Sequence, residues 1–328
     1  MTSSAMAPQT QEFRKGAYRT LFPQVTAIRP SVAPALPVDR QLVHRARPQD
    51  VLPTGSTRHD DTSFTVSARL PHHHRLFMTS DGRYKASYVL EAIRQTTLLV
   101  SHAELGVLLG HHFVMWDMGH RLDAELPAFG TAPEELTLDV EVTELRQRGA
   151  VPSGVALEMT IRAAGDAIGS GFIRFNITSP AAYTRIRGTR PTSALPAPAL
   201  PAPVDPPSVH HTRECDVVLA ASDRPGRWQL RADPANTLFF DRVNDHIPAM
   251  VLVEAAQQAA GLLVPRNRGR FLPSSSRMNF SRYVELDQPC WIEAHQDTTE
   301  DGTPSVRVTG HQSEQLAFVI EFADTAAR

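Results

Sequence analysis

Apolar and polar residues follow two different periods along this chain. Residues 87–105 and 249–264 are apolar at helical spacing, which predicts one helix in each half of the chain. Alternating, strand-like runs follow each of these stretches. They are LTLDVEVTEL (136–145), GVALEMTIRA (154–163), SGFIRFNIT (170–178), CWIEAHQ (290–296), SVRVTGHQ (305–312) and AFVIEFA (317–323). A helix followed by antiparallel strands indicates an α+β unit in which the sheet wraps around the helix.

The two halves of the chain repeat one another. The pattern VHxxRxxDV occurs at residues 43–51 and again at residues 209–217. Further along, VLEAIRQTTLLV (89–100) matches LVEAAQQAAGLL (252–263) at nearly the same displacement. Self-similarity that persists over most of a chain predicts a tandem duplication.

A segment rich in proline and alanine, residues 188–208, separates the two copies. Such a composition disfavours both helix and sheet and predicts an extended, semi-rigid linker. The first domain is therefore placed at residues 41–187 and the second at residues 209–328. Residues 1–40 carry scattered prolines and weak periodicity, so we expect a poorly ordered or loosely docked arm there.

Composition narrows the class of function. A net charge of −2 gives no global basic footprint for nucleic acid. No apolar run reaches 18 residues and the N-terminal stretch lacks the apolar core of a secretory signal, so neither a membrane span nor export is predicted. Cys215 and Cys290 make no disulfide framework, and no HExxH or CxxC spacing indicates a metal. We expect a cytoplasmic protein without a metal or cofactor.

Glu91 and Glu254 fall at matching positions inside the two apolar helices. Burying a carboxylate costs several kcal/mol unless it is paired, hydrogen-bonded or protonated. Arg94 lies three residues after Glu91, so the two can act together on a ligand or simply fix helix packing. In the second copy Gln257 replaces this arginine, and Glu254 then needs either a raised pKa or hydrogen bonds from Gln257 and Gln258. The second site is therefore altered, or the first helix serves a single working site.

A polar stretch, Asn244-Asp245-His246, precedes the second helix, and His74 precedes the first. These side chains can orient a ligand, or they cap the helix and face solvent. The catalytic candidates are Glu91, Arg94, Glu254, His246 and His74. The substrate-binding candidates are Arg94, Gln95, His112, Asn244, Asp245, Gln257, Gln258 and Arg282.

The helix sequence PAMVLVEAAQQAA (248–260), preceded by a histidine loop, resembles the hotdog fold of the dehydratases of fatty-acid synthesis. In that superfamily two hotdogs pair, and active sites form where they meet. The resemblance implies two tandem hotdog domains that pair as an intramolecular pseudo-dimer, in a monomer or a homodimer. A narrower resemblance, to the A-factor biosynthesis family of actinomycetes, rests on several short stretches. They are VHR (43–45), LPHHHRLF (70–77), EAIRQ (91–95), GHHF (110–113), FSRYVE (280–285), PCWI (289–292) and VTGHQ (308–312).

This family resemblance implies an acyltransferase. It would transfer a β-ketoacyl group from a carrier-protein or coenzyme A thioester to dihydroxyacetone phosphate. The phosphorylated ester leads through a butenolide to γ-butyrolactone or furan-type signals that control antibiotic production. The sequence has no glycine-rich phosphate loop, so phosphate binding would rest on arginines, first Arg94 and then Arg242, Arg277 or Arg282. Two alternatives stay open: a hotdog dehydratase or thioesterase acting on acyl thioesters, and a non-catalytic regulator that binds an acyl ligand.

Overall fold

The structure is a computed structural model, and it describes residues 37–69, 74–79, 82–123, 126, 135–190, 199–263, 271–299 and 302–323. Nearly all of the predicted arm, residues 1–40, lies outside the described residues, and so does the middle of the predicted linker.

Three α-helices occur in the described part of the chain. The two predicted helices are present as α1 (Ala86–Leu99), which continues into a π-helical turn, and α3 (Ala249–Leu263). A third helix, α2 (Pro180–Arg187), was not predicted. Ser179 caps it by accepting a hydrogen bond from the backbone N–H of Ala182 at 3.3 Å. None of these helices has the length and apolar character needed to cross a membrane.

Twelve strands of the described residues form one antiparallel sheet, and all six predicted strands are among them. They are β1 (Pro53–Arg58), β2 (Ser63–Arg69), β3 (His112–Leu122), β4 (Glu135–Arg148), β5 (Val151–Ala163), β6 (Asp166–Thr178), β7 (Leu219–Ala221), β8 (Arg227–Leu230), β9 (Ser275–Phe280), β10 (Cys290–Thr298), β11 (Pro304–Gln312) and β12 (Gln315–Ala323). The order in the sheet is β1-β2-β4-β5-β6-β3-β9-β12-β11-β10-β8-β7. The second copy thus repeats the strand order of the first in reverse, as expected for two related halves.

Strands β3 and β9 join the two halves. The two strands run antiparallel, and Met118 pairs with Met278. The neighbouring pairs are Asp117 with Asn279 and Gly119 with Arg277. Both methionines are fully buried. This pseudo-twofold arrangement confirms the predicted pair of tandem hotdog domains.

Each copy wraps its part of the sheet around its own helix. Helix α1 contacts β1, β3 and β6, whereas α3 contacts β7, β10 and β11. Thirteen of the fourteen residues of α1 are buried, Glu91 and Gln95 among them, so nearly every face of this helix is covered.

The end of the linker does not act as a free connector. Val204 donates its backbone N–H to the Leu219 carbonyl at 3.0 Å, and Pro203 forms an isolated bridge with Ala220. Strand β7 lies at the edge of the sheet, where its backbone groups need partners. The linker therefore covers an exposed sheet edge of the second domain.

Candidate active site

Two places at the junction of the copies are related by the pseudo-twofold. Helix α1 and the loop before α3 line a cavity of about 660 Å³, here called the larger cavity. Helix α3 and the segment before α1, with Thr79 and Lys85, line a space of only about 40 Å³, here called the smaller pocket. Small-molecule sites typically measure about 300–1,000 Å³, so only the larger cavity has the size of a substrate site.

Glu91 is fully buried in the wall of the larger cavity and bonds to two arginines. Arg94 donates from Nε and Nη2 to the two carboxylate oxygens, each at 2.8 Å. Arg45, in the turn before β1, donates to Oε1, and Gln95 donates to the same oxygen at 2.6 Å. Burial would raise the pKa of Glu91, but the two guanidinium groups and these hydrogen bonds hold the pKa below its ordinary value. The geometry therefore suits an ionised anchor for the arginines better than a proton acceptor.

Glu254 occupies the matching position in the second copy with different partners. His211 contacts its Oε1 through Nε2 at 2.8 Å, and Gln258 donates to the same oxygen at 2.9 Å. Burial would raise the pKa of Glu254, but the charge of Lys85 and the bonds from His211 and Gln258 lower it instead. The expectation of a raised pKa is therefore wrong, and the expectation of hydrogen bonds holds for Gln258.

Gln95 and Gln258 bind the backbone of their own domains. Gln95 donates to the Asp50 carbonyl at 2.8 Å and accepts from the Leu52 N–H at 2.9 Å. Gln258 makes the same two bonds to the matching turn of the second copy, at 2.9 and 3.0 Å. Both were predicted to bind substrate, but these bonds occupy their amide groups. Neither side chain lines the larger cavity.

The loop before α3 brings a histidine, an aspartate and a tyrosine together. His246 Nδ1 lies 2.7 Å from Asp245 Oδ1, and the Tyr183 hydroxyl donates to Asp245 Oδ2 at 2.9 Å. Burial would raise the pKa of Asp245, but the bonds from His246 and Tyr183 hold the pKa at about 2. An ionised carboxylate can only accept, so a neutral His246 carries its proton on Nδ1 and has its lone pair on Nε2. His112 stacks on the Tyr183 ring at 3.7 Å.

Three arginines line the larger cavity, Arg45, Arg94 and Arg242, and Arg45 is paired with both Glu91 and Asp241. Arg94 uses Nε and Nη2 on Glu91, which leaves Nη1 available. Arg242, from the loop before α3, lines the cavity and forms no ion pair with any acidic residue in the described part of the chain. Guanidinium groups in such a setting bind phosphate or carboxylate well.

His44 lies beside these arginines with a defined tautomer. His102 Nδ1 lies 2.7 Å from the Val107 carbonyl oxygen, so it carries the proton, and His102 Nε2 is an acceptor. His44 donates from Nε2 to that atom at 2.9 Å, which leaves its Nδ1 as a hydrogen-bond acceptor. Burial, followed by the charges of Arg242 and Arg94, lowers the pKa of His44 to about 2. His44 is therefore neutral.

Apolar side chains also line the larger cavity, and they are here called its apolar wall. They include Leu52, Leu76, Phe77, Leu98, Phe113, Met115, Ile173 and Phe175. His74 also lines this cavity, stacked on Phe77 at 4.1 Å, and burial lowers its pKa to about 4. A cavity lined by both apolar side chains and arginines suits a ligand with a hydrocarbon chain and an anionic end.

The structure therefore places the predicted site residues in three groups: those that line the larger cavity, those that line the smaller pocket, and Gln95 and Arg282, which line neither. The larger cavity is lined by Glu91, Arg94, His74, His112, Asn244, Asp245 and His246. Glu254, Gln257 and Gln258 line the smaller pocket instead. Arg282 is exposed on the segment after β9 and does not line the larger cavity, so the prediction that it binds substrate has no support from its position.

Sequence reasoning assigned no role to His44, Arg45 or Tyr183. The repeat did mark the position of Arg45, because the second copy also has a polar side chain, His211, at the matching position. Tyr183 lies on α2, in a segment for which we found no match in the second copy, so the repeat held no signal for it.

Tandem hotdog domains with a substrate-sized cavity at their junction define the class of protein to which this chain belongs. It is a member of the A-factor biosynthesis hotdog domain family, whose sequence profile matches residues 26–179 and 193–323. This confirms the predicted family.

Named relatives and a solved structure agree with this placement. A 2-oxo-3-(phosphooxy)propyl 3-oxoalkanoate synthase of Streptomyces virginiae is 43% identical over 282 residues, which are 86% of this chain and 95% of that protein. A protein of the same name from Streptomyces coelicolor is 38% identical over 298 residues, covering 89% and 93% of the two chains. The 12:0-ACP thioesterase of Umbellularia californica aligns with a TM-score of 0.50 at 12% identity, over 80% of this chain and 93% of that one. At this identity the thioesterase supports the fold alone.

Proposed function

We propose that this protein transfers a 3-oxoacyl group from a thioester to a hydroxyl of dihydroxyacetone phosphate. The product is then the ester that the names of its relatives describe. The observation that carries the proposal is the larger cavity, which combines arginines, an aspartate-bound histidine and an apolar wall. These three features match the phosphate, the reacting hydroxyl and the acyl chain.

His246 is the proton acceptor in this reaction. Its Nε2 takes the proton of the acceptor hydroxyl while the oxygen attacks the thioester carbonyl. The carbon–sulfur bond then breaks, and the departing thiolate takes the proton back from His246. Asp245 keeps the imidazole in the required tautomer through the 2.7 Å contact to Nδ1.

Arg94 and Arg242 bind the phosphate of the acceptor. Glu91 keeps Arg94 in place through two bonds of 2.8 Å, and Nη1 stays available for a phosphate oxygen. Arg242 adds a charge that no described carboxylate pairs with. A phosphate dianion between these groups gains charge-assisted hydrogen bonds that an unphosphorylated triose cannot make.

The acyl donor lies against the apolar wall, and either a carrier protein or coenzyme A can present its thioester. Both copies of the hotdog unit lie in one chain, so a monomer contains the complete cavity. The phosphorylated ester then serves as a precursor of butenolide and γ-butyrolactone signals.

Incubation of the protein with a 3-oxoacyl thioester and dihydroxyacetone phosphate tests the proposal. We expect mass spectrometry to detect the phosphorylated ester in step with thiol release. His246→Gln should lower kcat by about a hundredfold or more, the usual size of a general-base contribution. Arg282→Met is the matched control, because it removes a cation outside the larger cavity.

Three other results would each contradict the proposal. Thiol release that is independent of the acceptor would indicate a thioesterase. Loss of water from a 3-hydroxyacyl thioester would indicate a dehydratase. Tight thioester binding without turnover would indicate a ligand-binding regulator.

A further inference from the structure

Helix α2 docks on the second copy through polar side chains. Tyr183 and Arg187 are its only buried residues, whereas its one large aliphatic side chain, Ile186, is 55% exposed. Surface helices usually bury an apolar stripe. Burying a guanidinium is costly unless its charge is paired and its donors are satisfied. The contact of α2 therefore depends on the partners that these two side chains find.

Arg187 finds those partners in the segments that surround His246. It binds both carboxylate oxygens of Glu285 at 2.8 Å and donates to the backbone carbonyl of Asp245 at 3.0 Å. Its Nε lies 3.2 Å from Asp245 Oδ2. Its guanidinium also lies 4.9 Å from the centre of the Tyr283 ring, and that ring contacts His246 edge-on at 4.7 Å.

Tyr183, one turn before Arg187 in α2, bonds to the Asp245 carboxylate. Its hydroxyl donates to Asp245 Oδ2 at 2.9 Å and lies 3.1 Å from Oδ1. The Asp245 carboxylate thus receives hydrogen bonds from Tyr183 of the first copy and from His246 of its own copy, and it forms an ion pair with Arg187, whose hydrogen bond goes to the Asp245 backbone carbonyl. Its orientation is determined by α2 as well as by its own loop.

We propose that Tyr183 and Arg187 are positioning residues that set the tautomer of His246. They hold the Asp245 carboxylate where it accepts the Nδ1 proton, and this keeps the lone pair on Nε2. The link to catalysis rests on the proposed function, whereas the tautomer is a property of the protein alone. The first copy thereby completes a proton acceptor that the second copy carries.

The tautomer can be read by nitrogen-15 NMR of protein labelled on histidine, at a pH where His246 is neutral. The His246 signals are assigned as those missing in His246→Gln. We expect the Nδ1-protonated form in the unaltered protein and a mixture with the Nε2-protonated form in Tyr183→Phe and Arg187→Met. Arg190→Met is the control. Arg190 also reaches the second copy, through Asp287 at 3.0 Å and Glu285 at 3.6 Å, but no contact joins it to Asp245.

A double-mutant cycle tests the link to catalysis. Tyr183→Phe should lower kcat about tenfold with little change in KM, and it should have no further effect in a His246→Gln background. Circular dichroism confirms folding, and Tyr183→Phe keeps the inference testable if Arg187→Met unfolds. An unchanged tautomer in both variants, or an equal loss of kcat in both backgrounds, would overturn the inference. If the unaltered protein makes no ester but the variants change the tautomer, the proposed function fails and the positioning role stands.

Discussion

Glu91 and Glu254 occupy matching helix positions, yet their surroundings differ. Glu91 bonds to the guanidinium groups of Arg45 and Arg94, and the space beside it measures about 660 Å³. Glu254 bonds to the imidazole of His211 and an amide, and the space beside it measures about 40 Å³. One junction between the copies has thus kept a cavity, and its pseudo-symmetric counterpart is nearly closed.

The difference separates what the fold needs from what the site needs. In both copies a glutamine four residues after the glutamate bonds to it and to the backbone of a turn about forty residues earlier. This arrangement is common to the two copies, so it belongs to the architecture of the repeated unit. Arginines bond to the glutamate beside the larger cavity but not to Glu254, so we assign Arg45 and Arg94 to the site. We therefore infer that the buried carboxylate, which first resembles a catalytic acid, is a structural element of both domains.

The largest effect is expected when Arg45 and Arg94 are replaced by the residues at the matching positions of the second copy. Arg45→His combined with Arg94→Gln removes both charges beside Glu91, so phosphate binding should fail. We expect kcat/KM for dihydroxyacetone phosphate to fall about a hundredfold, or about 2.7 kcal/mol of transition-state stabilisation. Activity within a few-fold of the unaltered protein, with melting unchanged, would assign the arginines to the fold instead.

A smaller effect, on stability, should distinguish the two glutamates. Glu91→Gln leaves Arg45 and Arg94 without their shared carboxylate, and we expect a loss of about 2 kcal/mol, less than for a fully buried pair because both arginines are partly exposed. Glu254→Gln leaves no guanidinium unpaired and should cost less. Denaturant titrations of both variants at neutral pH provide the measurement.

Acidification should reduce the difference in the free energy of unfolding between the unaltered protein and Glu91→Gln. The pKa of Glu91 is lowered in the folded protein, so its contribution is fully present above the unfolded value of about 4.3 and is lost as the pH falls below it. The unaltered protein should therefore lose stability in acid faster than the variant does. A difference that stays constant down to about pH 3 would show that the charge of Glu91 is not what stabilises the fold.

Most of the architecture could be predicted because burial imposes a period on the sequence. Helices α1 and α3 and the six predicted strands, β4 to β6 and β10 to β12, all have a continuous apolar face, and the repeat related one copy to the other. The other six described strands were missed: β7 and β8 have only three and four residues, too few to show a period, and β3 has no regular alternation of buried and exposed residues. Helix α2 was missed because its buried face consists of a tyrosine and an arginine.

The site was predicted less completely, since spacing identifies polar residues but not their partners. Spacing identified Glu91 and Arg94 on helix α1. It also identified Asp245 and His246 in the loop before α3, and all four residues line the larger cavity. The sequence pattern could not show that Gln95 bonds to a turn rather than to substrate. Which of two equivalent junctions keeps a cavity depends on packing, which one sequence without an alignment does not reveal.

The phosphate preference should depend on Arg242. Arg242→Met should lower kcat/KM for dihydroxyacetone phosphate about tenfold, or about 1.4 kcal/mol, and leave the slower reaction with unphosphorylated dihydroxyacetone unchanged. A competition between the two acceptors, read by mass spectrometry, measures both values. Arg282→Met serves as the control cation. Equal losses with both acceptors would show that Arg242 acts on something other than the phosphate.

The smallest effect is expected when the second copy receives a residue of the first. Gln257→Arg gives the second copy the arginine that the first copy has at Arg94, but the smaller pocket of about 40 Å³ has no room for a substrate. His211 also still occupies the position of Arg45. We therefore expect kcat/KM to stay within about twofold of the unaltered protein, a change below about 0.5 kcal/mol. Placed in an Arg94→Gln background, the same change should restore nothing. Recovery of activity in that double variant would show that the second junction opens in solution and can serve as a second site.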